Sequence, residues 1–244
     1  MADDSKNGTS DVQRTGRELG GPVERQHASE LVFRRLAAAI LHKDLEPGAP
    51  LPPERQLSDD FGVSRAIVRE AIHRLMKYEL VRVRQGSTTI VLDPDESTDI
   101  HLLGLEIDLM PDDPAELRSL AERQIYAGAA LVDLAEQRIS DEEIAALERL
   151  IADFLSLSED EQTKAQFAFE RAHWVGIARA TRNRFYLRET QWIFNVMKRD
   201  ERIRRAVMLG SPASRAEEYA ALAVALRNRS GAVSVYLSSA RRLS

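Results

Sequence analysis

The stretch from Gly62 to Gly86, GVSRAIVREAIHRLMKYELVRVRQG, constrains the fold more than any other. Ser64 opens a run with helical spacing and is expected to cap it. Ile67, Val68, Ala71, Ile72, Leu75 and Met76 form one apolar face. Arg65, Arg69 and His73 recur at i, i+4 and i+8 on the other side. After the helix, LVRVR alternates apolar and basic residues, the pattern of a half-buried strand. Gln85-Gly86-Ser87 is expected to turn the chain, and TTIVL to return as a second strand.

The residues upstream supply two more helices. Ser29 is expected to cap the first, since Leu31, Val32, Leu36, Ala39 and Ile40 follow with a period near that of an α-helix. The helix stops before KDLEPGAPLPPER, where Pro47-Gly48 makes a turn and Pro50, Pro52 and Pro53 hold the chain extended. Pro53 suits the first turn of a second helix, where its missing amide costs nothing. Leu57 and Phe61 are that helix's inward pair, and Gly62 ends it. Three helices followed by a two-stranded wing make a winged helix-turn-helix over residues 24–92. Arginines on an arbitrary helix are most often a solvated face. Here the spacing, the capped start and the basic strand agree on a helix that lies in a DNA groove, with Arg65 and Arg69 in its first two turns.

The charge of the chain is split in a way that fits this reading. The net charge is −5. Residues 24–92 carry +2, residues 93–244 carry −6, and the first 23 carry −1. A mildly basic front domain thus precedes an acidic back domain. There is no cysteine, which excludes disulfides and thiolate metal sites. No apolar run reaches membrane-spanning length, and no partner membrane is expected. Residues 1–23 are polar and lack the basic-then-apolar layout of a signal peptide; they are expected to be a disordered tail of a cytoplasmic protein.

The segment LEPGAPLPPERQLSDDFGVSRAIVREAIHRLMKYELV resembles the DNA-binding domain of the GntR family of bacterial transcription regulators. The matching elements are Pro47-Gly48, Leu51-Pro52, Glu54-Arg55, Leu57, Gly62-Val63-Ser64-Arg65, Val68-Arg69-Glu70-Ala71, Leu75 and Leu80-Val81. The resemblance implies DNA contacts from Arg55, Arg65 and Arg69, and with them the flanking Ser64 and Ala66. It also implies that the wing tip, Arg84, Gln85, Gly86 and Ser87, reaches the minor groove. The family's wing usually carries a Gly-x-Gly pattern, whereas Gly86 is followed here by Ser87 and Thr88.

Beyond a polar linker at residues 93–100, the sequence reads as helical nearly throughout. Residues 101–244 are expected to form an all-helical bundle, so the fold class is mainly α. Leu117, Leu120, Ile125, Ala129, Leu131, Val132 and Ala135 make one apolar run. Ser140 with Glu143 makes a capping box for the next helix. Asn183 marks a break, and Ser214 to Leu226 and Ala232 to Arg242 are the last helices. No phosphate loop, paired-carboxylate motif or nucleophile–base constellation supports an enzyme in this bundle. The layout resembles the FadR-type branch of the GntR family through Arg123, the stretch Phe169 to Asn183 and the stretch Glu217 to Leu237. That resemblance implies a domain that dimerises and binds a small effector; a domain that only dimerises is the alternative.

Many members of this branch hold a divalent metal with one Asp and three His. On this chain the Asp position falls on Glu170, the first two His positions on Trp174 and Tyr219, and the third near Arg241. Tryptophan donates through N–H and a guanidinium stays protonated, so only one ligand survives and no metal is expected. His173 is adjacent but points about 100° away on a helix, and is read as a partly buried histidine. Arg123, Tyr126, Glu170, Trp174, Trp192, Asn195 and Tyr219 are polar-tipped or aromatic residues in apolar stretches. Arg123, Tyr126, Glu170, Trp174, Tyr219 and Arg241 are the expected effector residues: a mainly apolar ligand is expected, an acidic metabolite or an acyl-CoA, with Arg123 or Arg241 holding its acidic end and Trp174 and Tyr219 lining its apolar part. Arg123 and Glu170 pairing with each other is the structural alternative. The expected whole is a homodimeric repressor on a double-stranded inverted-repeat operator, responding to a small-molecule effector.

Overall fold

Gly62 ends one helix in a left-handed conformation and hands the chain to the next, and the front half of the molecule is arranged around that turn. The computed structural model describes residues 23–83, 88–99, 101–208 and 210–243, with side chains placed for 27–240 of these. The chain divides into two compact units, one ending at Met110 and the other starting at Pro111. The expected tail lies outside the described residues, apart from its last position.

The front unit contains α1 (Val23–Leu41), α2 (Glu54–Phe61), α3 (Arg65–Lys77), β1 (Val81–Val83), β2 (Thr89–Val91) and α4 (Leu102–Leu109). Helix α2 closes on Gly62, whose φ is 64°. The Val63 amide then donates to the Ser58 carbonyl at 3.1 Å, which satisfies one of the last free carbonyls of α2. Helix α3 packs on α1 and α2 through Val68, Ala71, Ile72 and Leu75, all buried. The strands pair antiparallel with Val81 opposite Val91 and Val83 opposite Thr89. The proline-rich segment before α2 runs along the free edge of β2. Gly48 N–H donates to Val91 at 2.9 Å, Val91 N–H to Ala49 at 2.9 Å, and Leu51 N–H to Thr89 at 2.8 Å. Pro50 sits between these donors, at a position where the pairing asks for no amide.

Five expectations for this unit differ from what is observed. Helix α1 starts at Val23, so Ser29 lies inside it, fully buried, and is not its cap. Ser64 occupies the N-cap position of α3, but its hydroxyl makes no capping bond. Leu31 and Met76, expected inward, are 48% and 37% exposed; the apolar stripe is wider than the face that packs. Residues 93–99, expected to be part of a linker, are held to the front unit. Pro94–Glu96 forms a 3-10 turn capped by Asp93, and the Glu79 carboxylate accepts from the Thr98 amide at 2.7 Å. Helix α4 also packs on the front core through Leu102 and Leu105, although it was expected in the back domain.

The back unit contains α5 (Pro114–Arg138), α6 (Asp141–Leu155), α7 (Glu159–Ala180), α8 (Arg184–Arg199), α9 (Glu201–Val207), α10 (Pro212–Asn228) and α11 (Ala232–Leu243). The expected breaks are made by side-chain caps. The Ser140–Glu143 capping box opens α6. Asn183 Oδ1 accepts from the Phe185 amide at 3.0 Å and opens α8, and Asp200 opens α9 in the same way through Arg202. Helix α7 is buried on several sides, against α5, α6, α8 and α10. It therefore carries buried residues around much of its circumference, including the polar Glu170 and His173.

Candidate functional site

Among the described residues, two places carry polar groups that the fold alone does not require. The first is the start of α3. Arg55, Ser64, Arg65, Ala66 and Arg69 are all exposed, with Arg65 and Arg69 one turn apart on the solvent side of α3. Arg69 is held in place by Glu54 at the start of α2. Its Nε donates to one carboxylate oxygen at 3.1 Å and its Nη2 to the other at 2.7 Å. These bonds, with the charge of Arg69, hold the Glu54 carboxyl below its ordinary range. Because Ser64 does not cap α3 with its hydroxyl, the first-turn amides join the two arginines in a donor-rich surface. Such a surface can bind phosphate and base edges. The expected wing contacts, Arg84, Gln85, Gly86 and Ser87, lie outside the described residues.

The second place is a cavity in the back unit, walled by α5, α7, α8, α10 and α11 and by the residues that end α9. It holds about 870 Å³ of empty space, counting its open mouth. Ile125, Leu131, Trp174, Ile193, Phe194 and Met197 give it apolar walls, and Gln124, Glu170, Glu189, Thr190 and Arg215 give it polar points. Glu170 is 1% exposed. Its carboxylate accepts from Arg215 Nε at 2.9 Å and Nη2 at 3.2 Å, and from the Tyr219 hydroxyl. The Tyr219 oxygen in turn accepts from Trp174 Nε1 at 2.9 Å and from Arg215 Nη2 at 2.5 Å. Burial pushes the Tyr219 hydroxyl well above its ordinary pKa, and the Glu170 charge adds to the shift. Burial opposes the charge of Arg215, but the Tyr219 and Glu170 oxygens outweigh it and raise the guanidinium pKa.

Of the expected effector residues, the structure brings Glu170, Trp174 and Tyr219 into one network. Glu170 and Trp174 face the cavity, and Tyr219 stands behind the wall and holds both. Tyr126 is 54% exposed and does not line the cavity. Trp192 is half-buried and Asn195 exposed, and neither lines it. Arg123 sits beside it and donates to Glu189 at 2.5 Å, so Arg123 and Glu170 have separate partners instead of each other. The Arg241 side chain lies outside the described residues. His173 is fully buried, not partly, and stacks on the Tyr219 ring at 3.9 Å. Burial, and then the charge of Arg215, lowers its pKa to about 3, so it is neutral.

Arg215 is the central residue that the sequence alone did not mark. It stands one turn before Tyr219 on α10, and that spacing was the available signal. Gln124, Glu189, Thr190 and Tyr236 were likewise not singled out.

A divalent ion does not fit the Glu170 network. Both carboxylate oxygens already accept hydrogen bonds, Trp174 presents a donor, and a guanidinium lies 2.9 Å from the one available ligand. Among the described residues no three His, Cys, Asp or Glu side chains form a group that could hold a metal.

With this geometry in hand, the similarities to known proteins fall into place domain by domain. Residues 28–91 match the gntR family of bacterial regulatory proteins, and residues 128–240 match the FCD domain. The HTH-type transcriptional regulator Rv0494 of Mycobacterium tuberculosis is 32% identical over 163 residues, which cover 67% of this chain and 65% of that protein. The HTH-type transcriptional repressor NanR of Cronobacter sakazakii is 31% identical over 138 residues, 56% of this chain and 53% of that protein. The chain thus spans between about half and two thirds of the length of these curated relatives. A GntR structure from Streptococcus agalactiae has 21% identity and a TM-score of 0.43, covering 88% of this chain and 98% of that one.

Proposed function

This chain belongs to the gntR family of bacterial regulatory proteins, with an FCD domain behind its winged helix-turn-helix, and we propose that it is an effector-responsive repressor that binds an inverted-repeat operator as a homodimer. Its relatives are transcriptional regulators and not enzymes. The observation that carries the proposal is the exposed pair Arg65 and Arg69 at the start of α3, a helix whose Val68, Ala71, Ile72 and Leu75 are buried in the core. Arginines near the N-terminus of a recognition helix can reach base edges in the major groove, and Arg55 from α2 supports them on the phosphates. One such helix reads one half-site, so a two-fold protein reads an inverted repeat. A regulator of this kind works on chromosomal DNA, which puts it in the bacterial cytoplasm.

The cavity favours an effector-binding back unit over one that only dimerises. A packed bundle has no need of such a space, nor of a buried charge network on its wall. Ligand binding there shifts the front units between spacings that fit the operator and spacings that do not. Sedimentation and duplex selection test the assembly together. A dimer at micromolar concentration bound to a symmetric site is expected; a monomer bound to an asymmetric site contradicts it.

A further inference from the structure

We propose that the ligand of this cavity is uncharged: a small, mainly apolar molecule with one carbonyl or amide group, and not a carboxylate. This rests on reading the cavity as the effector site, and it departs from the acidic ligand that the arginines of the sequence suggest.

Charge decides what this cavity admits. Arg215 lines the cavity and Arg123 reaches its rim through Glu189, and each guanidinium already faces a carboxylate. Arg215 makes two bonds to Glu170 and a third to Tyr219. Arg123 is bonded to Glu189 through Nη2; its Nη1 is buried without a hydrogen-bond partner among the described residues, so it offers a donor from a group whose charge is already paired. The side chains of Arg215 and Glu170 are 11% and 1% exposed, so solvent screens their pairing little. An incoming carboxylate has two options. It can stay away from Arg215 and bring a bare charge into an apolar space, or it can displace Glu170 and leave that carboxylate buried without its partner. Both are unfavourable for the same reason: an ion loses water and gains no counter-charge. A cationic ligand meets the converse problem, because Glu170 and Glu189 are already neutralised.

An uncharged polar group meets a better surface. Gln124 lines the cavity, and its amide nitrogen is buried without a hydrogen-bond partner among the described residues. A buried donor of this kind is costly unless something accepts from it. A ligand carbonyl satisfies it once the Gln124 side chain turns its amide to the open space, and adds no charge; Thr190 is a second polar residue of the same lining. Ile193, Phe194, Met197 and Trp174 then cover the apolar remainder.

The test uses the full chain and matched triplets of acid, primary amide and amine on phenyl, butyl, hexyl and octyl skeletons, titrated by calorimetry at neutral pH. The amide is expected to bind about ten-fold or more tighter than the acid and the amine of the same skeleton. An acid that binds as tightly as its amide, or tighter, overturns the ligand class while leaving the effector reading in place. No saturable binding by any triplet overturns both. Glu170→Gln adds a second arm, because it keeps the shape but frees the charge of Arg215. In that variant the acid is expected to gain about ten-fold relative to its amide. An unchanged ratio in a folded variant means that Glu170 is not what excludes the acid, and overturns the argument. The ordering of the triplets on the parent chain needs no variant to fold.

Discussion

Arg69 stands on the outer face of α3, yet one edge of its guanidinium is held by both carboxylate oxygens of Glu54, with Nε at 3.1 Å and Nη2 at 2.7 Å. A flexible side chain is thereby held flat and aimed, and part of its charge is cancelled. Both effects bear on DNA binding. Orientation favours one base pattern over others, and the carboxylate weakens the general attraction to phosphate. Glu54→Ala is therefore expected to raise affinity for unrelated duplexes severalfold while lowering the ratio of specific to non-specific binding. Anisotropy titrations on both kinds of duplex at two salt concentrations check this. A variant that keeps the parental ratio shows that Glu54 does not orient Arg69.

Gly128 is required by Tyr236. A Cβ at position 128 would overlap the Tyr236 hydroxyl oxygen and lie 2.7 Å from its ring. The Tyr236 ring also packs edge-on against Trp174, so it is not free to retreat. Gly128→Ala is expected to destabilise the back unit by about 1–3 kcal/mol. Tyr236→Phe in the same chain removes the closest contact and recovers part of the loss. Equal midpoints for Gly128→Ala and the parent in denaturant titration rule the constraint out.

His173 makes the back unit sensitive to mild acid. Its folded pKa is lowered to about 3 by burial, against an ordinary value of 6.5. Below 6.5 the unfolded chain takes up a proton that the folded chain refuses, so stability falls as the pH drops from 6.5 towards 3. Above 6.5 the folded state carries no such penalty. His173→Phe can keep the stack on Tyr219 and is expected to flatten this slope between about pH 7 and about pH 5. A slope equal to the parent's assigns the acid sensitivity to other groups.

Removal of metal is expected to change nothing. A chelator should leave the melting temperature where it was, and elemental analysis of the purified protein should find no stoichiometric divalent ion, because Arg215 occupies the space beside Glu170. One tightly held ion per chain puts the network around Glu170 in the wrong arrangement.

The front unit was legible because its constraints are local. Gly62, the prolines before α2 and the spacing of Val68, Ala71, Ile72 and Leu75 each act within a few residues of themselves. Ser29 misled for the same reason. It has the chemistry of a cap, but the helix continues through it on packing that a local pattern does not report. The cavity depended on partners far apart in the chain. Arg215 reads as a solvated helix arginine until α10 is laid against α7 and Glu170 meets it. Tyr126 reads as an inward aromatic until the bundle turns it outward, to 54% exposure. Trp174 and Tyr219 were marked by their residue type in apolar stretches and by their positions against a family pattern.

The central claim is that the outer face of α3 reads DNA, and operator binding by Arg65→Ala tests it most directly. A preferred duplex is first selected from a randomised pool with the parent protein, then titrated with parent and variant under the same salt conditions. Loss of a well-placed arginine contact is worth roughly 1–3 kcal/mol, so Arg65→Ala should bind the selected inverted repeat about ten-fold to a hundred-fold more weakly while remaining folded. Parental affinity in the folded variant, or a selected site without two-fold symmetry, contradicts the account.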